Sequence, residues 1–138
     1  MPNQQSMIFK VSATGPQAAR HLLRALVEIN LDQIREAGTA AQFPVLTGLQ
    51  NGSIVYVRRD DDEWWKDWTS VLSTSAGDCE DLVCAVVAEM FANGIQARPY
   101  AYLATPTLWH VVVQYIDAKT GEELIVDPSR LGGMGKVT

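Results

Sequence analysis

The run Gly77-Asp78-Cys79-Glu80-Asp81-Leu82-Val83-Cys84 puts a cysteine at the head of an apolar, helix-periodic stretch, and His110 and Asp127 follow at the edges of strand-like runs. A thiol nucleophile, a general base and a carboxylate that orients the base are the parts needed for acyl transfer. At a helix N-terminus, unpaired backbone N–H groups and the positive end of the helix dipole favour a thiolate. The same groups can hold the oxyanion of a tetrahedral intermediate. Asp78, Glu80 and Asp81 act against this, because their charges disfavour a second negative charge on Cys79. Ionisation of Cys79 therefore depends on an imidazolium nearby. Taken alone, Cys79 reads as an inert buried cysteine, and Cys84 as core.

His110 opens a run in which His110, Val112 and Gln114 share one face and Val111, Val113 and Tyr115 the other. A lone histidine beside a strand is more often structural than catalytic. The return strand changes that reading. An even hairpin loop, centred between Ala118 and Lys119 or one residue later, puts His110 and Asp127 on one face, opposite or diagonal. An odd loop or a bulge separates them. Asp127 stands directly before Pro128, so its competing role is a turn cap.

Other chemistries fit less well. Cys79, Cys84, His110 and Asp127 are possible zinc ligands, but no close Cys or His pair has the usual ligand spacing, so no metal is expected. The acidic run 60–63 lacks the alternating oxygen ligands and glycine of a calcium loop and reads as a solvated turn. The glycines of 132–135 follow no strand-to-helix transition, which excludes a phosphate-binding loop and predicts a flexible tail over 132–138. No cofactor is implied.

The elements that must position these residues follow from periodicity. Residues 16–38 predict a helix, with Pro16 in its first turn, Gly38 at its stop and Leu22, Leu26, Ile29 and, more loosely, Leu23 and Ile34 at helical spacing. His21 on it reads as a surface histidine. Residues 38–52 read as a loop, 54–57 as a short strand, and 63–72 as a short helix carrying Trp64, Trp65 and Trp68. Residues 78–93 predict a buried central helix, with Asp78 as N-cap, Asp81 as the acidic partner of a capping box, and Asn93-Gly94 as its end. Runs at 95–103, 110–116 and 124–126 then predict an antiparallel sheet. One central helix followed by such a sheet is an α+β pattern.

With 138 residues and no repeats or linkers, the chain reads as one domain spanning 1–138, with 1–12 loosely held. A net charge of -5 offers no basic stripe for phosphates, so neither nucleic acid nor an anionic membrane is an expected partner. Residues 1–11 are too polar for a secretory segment, and no apolar run approaches bilayer length. Two cysteines five apart on one helix point to different faces, which predicts free thiols and a reducing, cytoplasmic setting.

The segment Gly77-Asp78-Cys79-Glu80-Asp81-Leu82, with Gly94-Ile95-Gln96-Ala97-Arg98, His110-Val111-Val112-Val113 and Asp127-Pro128-Ser129, resembles the transglutaminase-like superfamily of cysteine hydrolases and acyltransferases. The small versions found in tailed phages and prophages look most similar. They also carry motifs like Glu63-Trp64-Trp65-Lys66-Asp67 and Ser129-Arg130-Leu131-Gly132-Gly133-Met134. The resemblance covers roughly the C-terminal two-thirds of the chain. It implies a papain-like α+β core, with Cys79 as nucleophile, His110 as base and acid, and Asp127 as orienting carboxylate. The Cys79 N–H would be the first oxyanion donor; the glutamine that papain-like proteases carry a short distance upstream is absent from Ser73-Thr74-Ser75-Ala76. Trp65, Trp68 and Trp109 are candidates for the substrate cleft, and core or lid roles compete for Trp65 and Trp68. The implied activity is thiol-dependent amide acyl transfer on a protein or peptide, by hydrolysis or by transamidation. A non-catalytic phage structural, assembly or host-interaction protein retaining the fold is the alternative. The setting would be the host cytosol, or the virion.

Overall fold

A computed structural model describes residues 8–10, 16–58, 64–106 and 108–135. The acidic run 60–63 lies outside them. Helix α1 (Pro16–Ala37) ends at Gly38, whose φ of +72° is the left-handed turn glycine accepts without strain. Its buried stripe is Leu23, Leu26, Val27, Asn30, Gln33 and Ile34; of the residues that apolar spacing predicts, Leu23, Leu26 and Ile34 belong to it, while Leu22 and Ile29 are only half-buried at its edge. Two polar residues enter the stripe because they bond to a later helix. The Trp68 N–H donates to Asn30 Oδ1 at 2.7 Å, and the Thr69 N–H donates to Gln33 Oε1 at 3.1 Å.

Residues 38–52, predicted as a loop, form a 3₁₀ turn (Ala40–Gln42) and helix α2 (Pro44–Asn51). No local cap announces α2. Its N-cap is Phe43, with a φ of +47° and no side-chain bond. The cap comes from Glu89, 43 and 44 residues further on, whose carboxylate accepts the N–H groups of Val45 (2.7 Å) and Leu46 (3.0 Å).

Strand β2 (Val55–Tyr56) occupies part of its predicted span. The predicted helix over 63–72 divides at Asp67. Trp64 and Trp65 belong to β3 (Trp64–Lys66), which pairs antiparallel with β1 (Ile8–Lys10), and Trp68 opens α3 (Trp68–Thr74). Asp67 Oδ1 accepts the Ser70 N–H at 2.9 Å, so this aspartate is the N-cap and the helix cannot begin before it. Strand β4 (Ala76–Gly77) pairs parallel with β2 and delivers the chain to α4 (Cys79–Ala92).

Every residue of α4 from Asp81 to Met90 is buried. The helix packs on α1, α2 and α3 and on residues 97–105, 108–116 and 128–131 that follow it, which makes it the axis of the core. Strands β5 (Ala97–Thr105), β6 (Leu108–Ile116) and β7 (Glu123–Val126) form an antiparallel sheet in the order β5-β6-β7. The architecture is mixed α+β, with the three-stranded sheet laid on the central helix. Val111 and Val113 join the core, while His110 and Gln114 alternate to the opposite face.

A last short helix, α5 (Pro128–Leu131), follows. Beyond it, where a flexible tail is predicted, residues 132–135 are tied down. The Tyr56 N–H donates to the Gly132 carbonyl at 2.9 Å and the Met134 N–H to the Ser129 carbonyl at 2.9 Å. A Cβ on Gly132 would lie 2.6 Å from the Tyr56 nitrogen, so this close approach of two backbones requires glycine.

Candidate functional site

The first turn of α4 is locked before any chemistry is considered. The Asp78 side chain caps the helix and Asp81 reciprocates: Asp81 Oδ2 accepts the Asp78 N–H at 3.0 Å. The other Asp81 oxygen accepts the Lys66 N–H at 2.7 Å, which joins β3 to the same turn. Cys79 is the first helical residue, as its predicted role as nucleophile demands. Its N–H, the expected first oxyanion donor, is engaged: it donates to Asp78 Oδ1 at 2.8 Å.

On the sheet, Val113 faces Val126. That register centres the hairpin between Lys119 and Thr120, the later of the two even loops, so Asp127 falls opposite Val112 on the face of His110. His110 Nε2 and Asp127 Oδ2 are 2.9 Å apart, with side chains only 12% and 16% exposed. An ionised carboxylate only accepts, so a neutral imidazole in this bond donates from Nε2 and carries its lone pair on Nδ1. Tyr102, directly across from His110, meets the imidazole edge-on at 5.7 Å. Asp127 makes both the cap bonds and a bond to the imidazole, which the sequence offers as alternatives. Oδ1 accepts the N–H groups of Ser129 (3.1 Å) and Arg130 (3.4 Å) at the start of α5, while Oδ2 holds the imidazole.

Cys79 and His110 line one cleft of about 190 Å³, together with Glu80, Trp65, Trp109, Ala101 and Val111. The cleft lies where the start of β6 meets the N-terminus of α4. The thiol and the imidazole share it without a hydrogen bond between them. Cys79 Sγ instead donates to Glu80 Oε2 at 2.8 Å. Burial pushes the Cys79 thiol far above its ordinary range, and the charge and hydrogen bond of Glu80 and the charge of Asp78 push it further. The Glu80 N–H acts in the opposite sense, favouring the thiolate, and is outweighed. Cys79 therefore rests as a neutral thiol held by a carboxylate.

The predicted cleft tryptophans part company. Trp65 and Trp109 line the cleft, and Trp109 is 46% exposed. Trp68 does not reach it. It is buried in the core and its indole N–H donates to Glu89 Oε2 at 2.9 Å. A tryptophan placed just behind an N-cap faces the helix packed on it, and here that helix is α4. Cys84 is also core, with Sγ 3.6 Å from the Leu23 carbonyl oxygen, and both thiols are free.

Two contributors escaped the sequence reading. Glu80 appeared only as a charge beside Cys79, not as its hydrogen-bond partner. Tyr56 had no visible link to the site, although the parallel pairing of β2 with β4 sets it next to Gly77. Burial and the Asp78 carboxylate, to which it hydrogen-bonds, push its phenol up to about 12, so the phenol remains a proton donor. Among the described residues, Asp78, Cys79 and Glu80 bring ligand-type atoms within 4.8 Å of one another. That group contains no histidine, and Asp78 Oδ1 already serves the Cys79 N–H. Among the described residues no helix is long and apolar enough to cross a membrane. Comparison with protein-family models, with curated proteins and with solved structures found no match to this chain.

Proposed function

We propose that this protein is a thiol-dependent amide acyltransferase or hydrolase acting on a protein or peptide, in the manner of the transglutaminase-like superfamily that its motifs resemble. The observation carrying this reading is the His110–Asp127 pair, joined at 2.9 Å with Nδ1 left as the basic nitrogen, at a cleft that Cys79 also lines. His110 Nδ1 takes the Cys79 proton, and sulfur attacks the amide carbonyl. The C–S bond forms, the C–N bond breaks, and His110 returns the proton to the leaving amine. Water then cleaves the thioester to regenerate the thiol, or a second amine takes the acyl group.

One observation favours a second reading, a binding or assembly protein that keeps the fold without turnover. The thiol is bonded to Glu80, and the Cys79 N–H to Asp78. Reaction with p-nitrophenyl acetate separates the two. An enzyme gives a burst of nitrophenol and an acetyl adduct on Cys79, lost in Cys79→Ala and slowed at least a hundredfold in His110→Ala. An adduct that forms equally fast without His110, or none at all, would leave the binding protein as the answer. Adding a primary amine to the same assay reads transamidation against hydrolysis.

A further inference from the structure

A second cavity adjoins the cleft and plays no part in the chemistry so far. It is a groove of about 740 Å³ between α1 and β5, and Leu23 and Ala101 line both it and the cleft. From that shared end it runs along α1 to Leu31 and back along β5 to Ala97. At about 1.5 Å per helical residue, Arg20 to Leu31 spans roughly 16 Å, the length of about five residues of extended chain. Its floor is apolar and includes Phe91, which follows the buried run of α4 and is 49% exposed. On the strand side, the Ile116 N–H donates to the Gln96 carbonyl at 3.0 Å. Alternation along the ladder then turns the backbone groups of Ala97, Pro99 and Ala101 away from β6, and all three residues line the groove. Among its described lining residues the groove carries Arg20, Arg24 and Arg98 against one carboxylate, Glu28. This positive surface stands on a chain whose net charge is -5.

We propose that the groove between α1 and β5 holds the substrate polypeptide in an extended conformation and selects acidic side chains close to the reactive amide, with Arg20 and Arg24 as their partners. This inference rests on the acyl-transfer reading above and gives it a substrate class. One face of the extended segment packs on the apolar floor, and the other meets the arginines. Arg20 and Arg24 are one turn apart, about 6 Å along the helix axis, and alternate side chains of an extended chain are about 6.6 Å apart. Two carboxylates with one apolar residue between them therefore match the two guanidinium groups, whose paired N–H donors suit a carboxylate. Glu28 comes a turn further from the cleft, so the acidic preference belongs to the end nearest Cys79. Main-chain bonds along β5 would hold the segment whatever its side chains.

Peptide binding to the Cys79→Ala protein tests this without turnover. The probes are rhodamine-labelled octapeptides that alternate valine with glutamate, glutamine or lysine, read by fluorescence anisotropy at low salt. The glutamate peptide is expected to bind about tenfold or more tightly than the lysine peptide, and added salt should weaken it. Net charge alone predicts the opposite order. An exposed ion pair contributes up to about fivefold, so Arg20→Glu with Arg24→Glu, which turns two attractions into repulsions, should cost about tenfold or more and abolish the preference. Arg20→Lys with Arg24→Lys should retain it, which guards against a fold defect. Arg35→Glu, on the same helix but outside the groove, should leave binding unchanged. No preference for glutamate, or an equal loss in Arg35→Glu, overturns the proposal. So does tighter binding of oligothymidylate than of the glutamate peptide, or a dimer in sedimentation that the paired glutamate substitutions dissociate. The burst with p-nitrophenyl acetate reports on the acyl-transfer reading separately, and the arginine variants should keep it. If the peptide preference stands and no acyl adduct forms on Cys79, the groove is supported and the catalytic reading fails. If the burst stands without the preference, the groove proposal alone falls.

Discussion

Asp127→Asn separates the two jobs that one carboxylate performs. Oδ1 accepts two N–H groups at the start of α5, and Oδ2 accepts the His110 ring proton. In the asparagine variant only the amide oxygen can continue to cap, because the NH₂ group donates and the Ser129 and Arg130 N–H groups need an acceptor. The amide is thereby pinned with its NH₂ toward His110 Nε2. The imidazole must then accept at Nε2 and carry its proton on Nδ1, the nitrogen that the proposed mechanism uses as base. The cap is worth about 1 kcal/mol, and asparagine serves nearly as well as aspartate there. The bond to the ring is worth about 1.5–3 kcal/mol in its charged form. Asp127→Asn should therefore cost about 1 kcal/mol or less in urea denaturation, and Asp127→Ala about 2–4 kcal/mol.

Function should rank the variants differently. With the proton on Nδ1 the base is blocked, and acylation of Cys79 should fall by about three to four orders of magnitude in Asp127→Asn. Imidazole nitrogen chemical shifts give the tautomer directly, with Nε2–H in the native protein and Nδ1–H in the variant. If the ring keeps Nε2–H, or acylation proceeds undiminished after the tautomer has changed, the orienting role assigned to Asp127 is wrong.

Further outcomes follow from the polar groups inside the core. Glu89→Ala strands the Val45, Leu46 and Trp68 donors that its carboxylate serves, and chemical denaturation should register a loss of about 3–5 kcal/mol. Burial raises the Glu89 carboxyl above its ordinary value, so the folded state holds that proton more tightly than the unfolded chain. Stability should fall as pH climbs from the ordinary carboxylate range through the raised value, and Glu89→Gln should flatten that slope. At high pH the same sign holds for the thiols. Cys79 and Cys84 are both pushed up, so above about pH 8.5 the unfolded thiols ionise first, and each removes about 1.4 kcal/mol per pH unit. Cys79→Ser should halve this alkaline loss, and an unchanged slope would mean that the thiol is not buried beside Glu80. Gly132→Ala drives a Cβ into the Tyr56 nitrogen and should lower the melting temperature by several degrees, whereas Gly121→Ala, with only its backbone angle to strain, should do less.

What could be read in the chain was local. The Asp78–Asp81 capping box and the burial of α4 around its circumference follow from spacings of a few residues, whereas the parity of the hairpin between His110 and Asp127 stayed open until the pairing of Val113 with Val126 fixed it as even. What could not be read was carried by long-range polar bonds. Helix α2 has no cap of its own and waits for Glu89. Trp68 leaves the predicted cleft because Asp67 starts a helix beside it and Glu89 takes its indole. Asn30 and Gln33 extend the buried stripe of α1 toward α3. The partnership of Cys79 with Glu80 was hidden for another reason. Adjacent helix residues ordinarily diverge, and their side chains meet here at the very first turn of the helix.

The two halves of the candidate site stand in different states, and the difference constrains how they can meet. The base is ready, since Asp127 and Tyr102 already fix the ring. The thiol is held back by the Glu80 and Asp78 carboxylates in the first turn of a capped helix, and that helix cannot shift without breaking the bonds that Asp81 accepts from the Lys66 and Asp78 N–H groups. Approach of sulfur to imidazole must therefore come from rotation of the Cys79 and Glu80 side chains, or from the end of the β5–β6 hairpin, whose ladder is interrupted between Leu103 and Thr105. Rotation of Glu80 takes its carboxylate from the thiol, and transfer of the thiol proton to His110 leaves an imidazolium beside the sulfur. Either that transfer occurs, in which case acylation must be lost in His110→Ala and quickened in Glu80→Gln, or the thiol never ionises and the cleft serves binding alone.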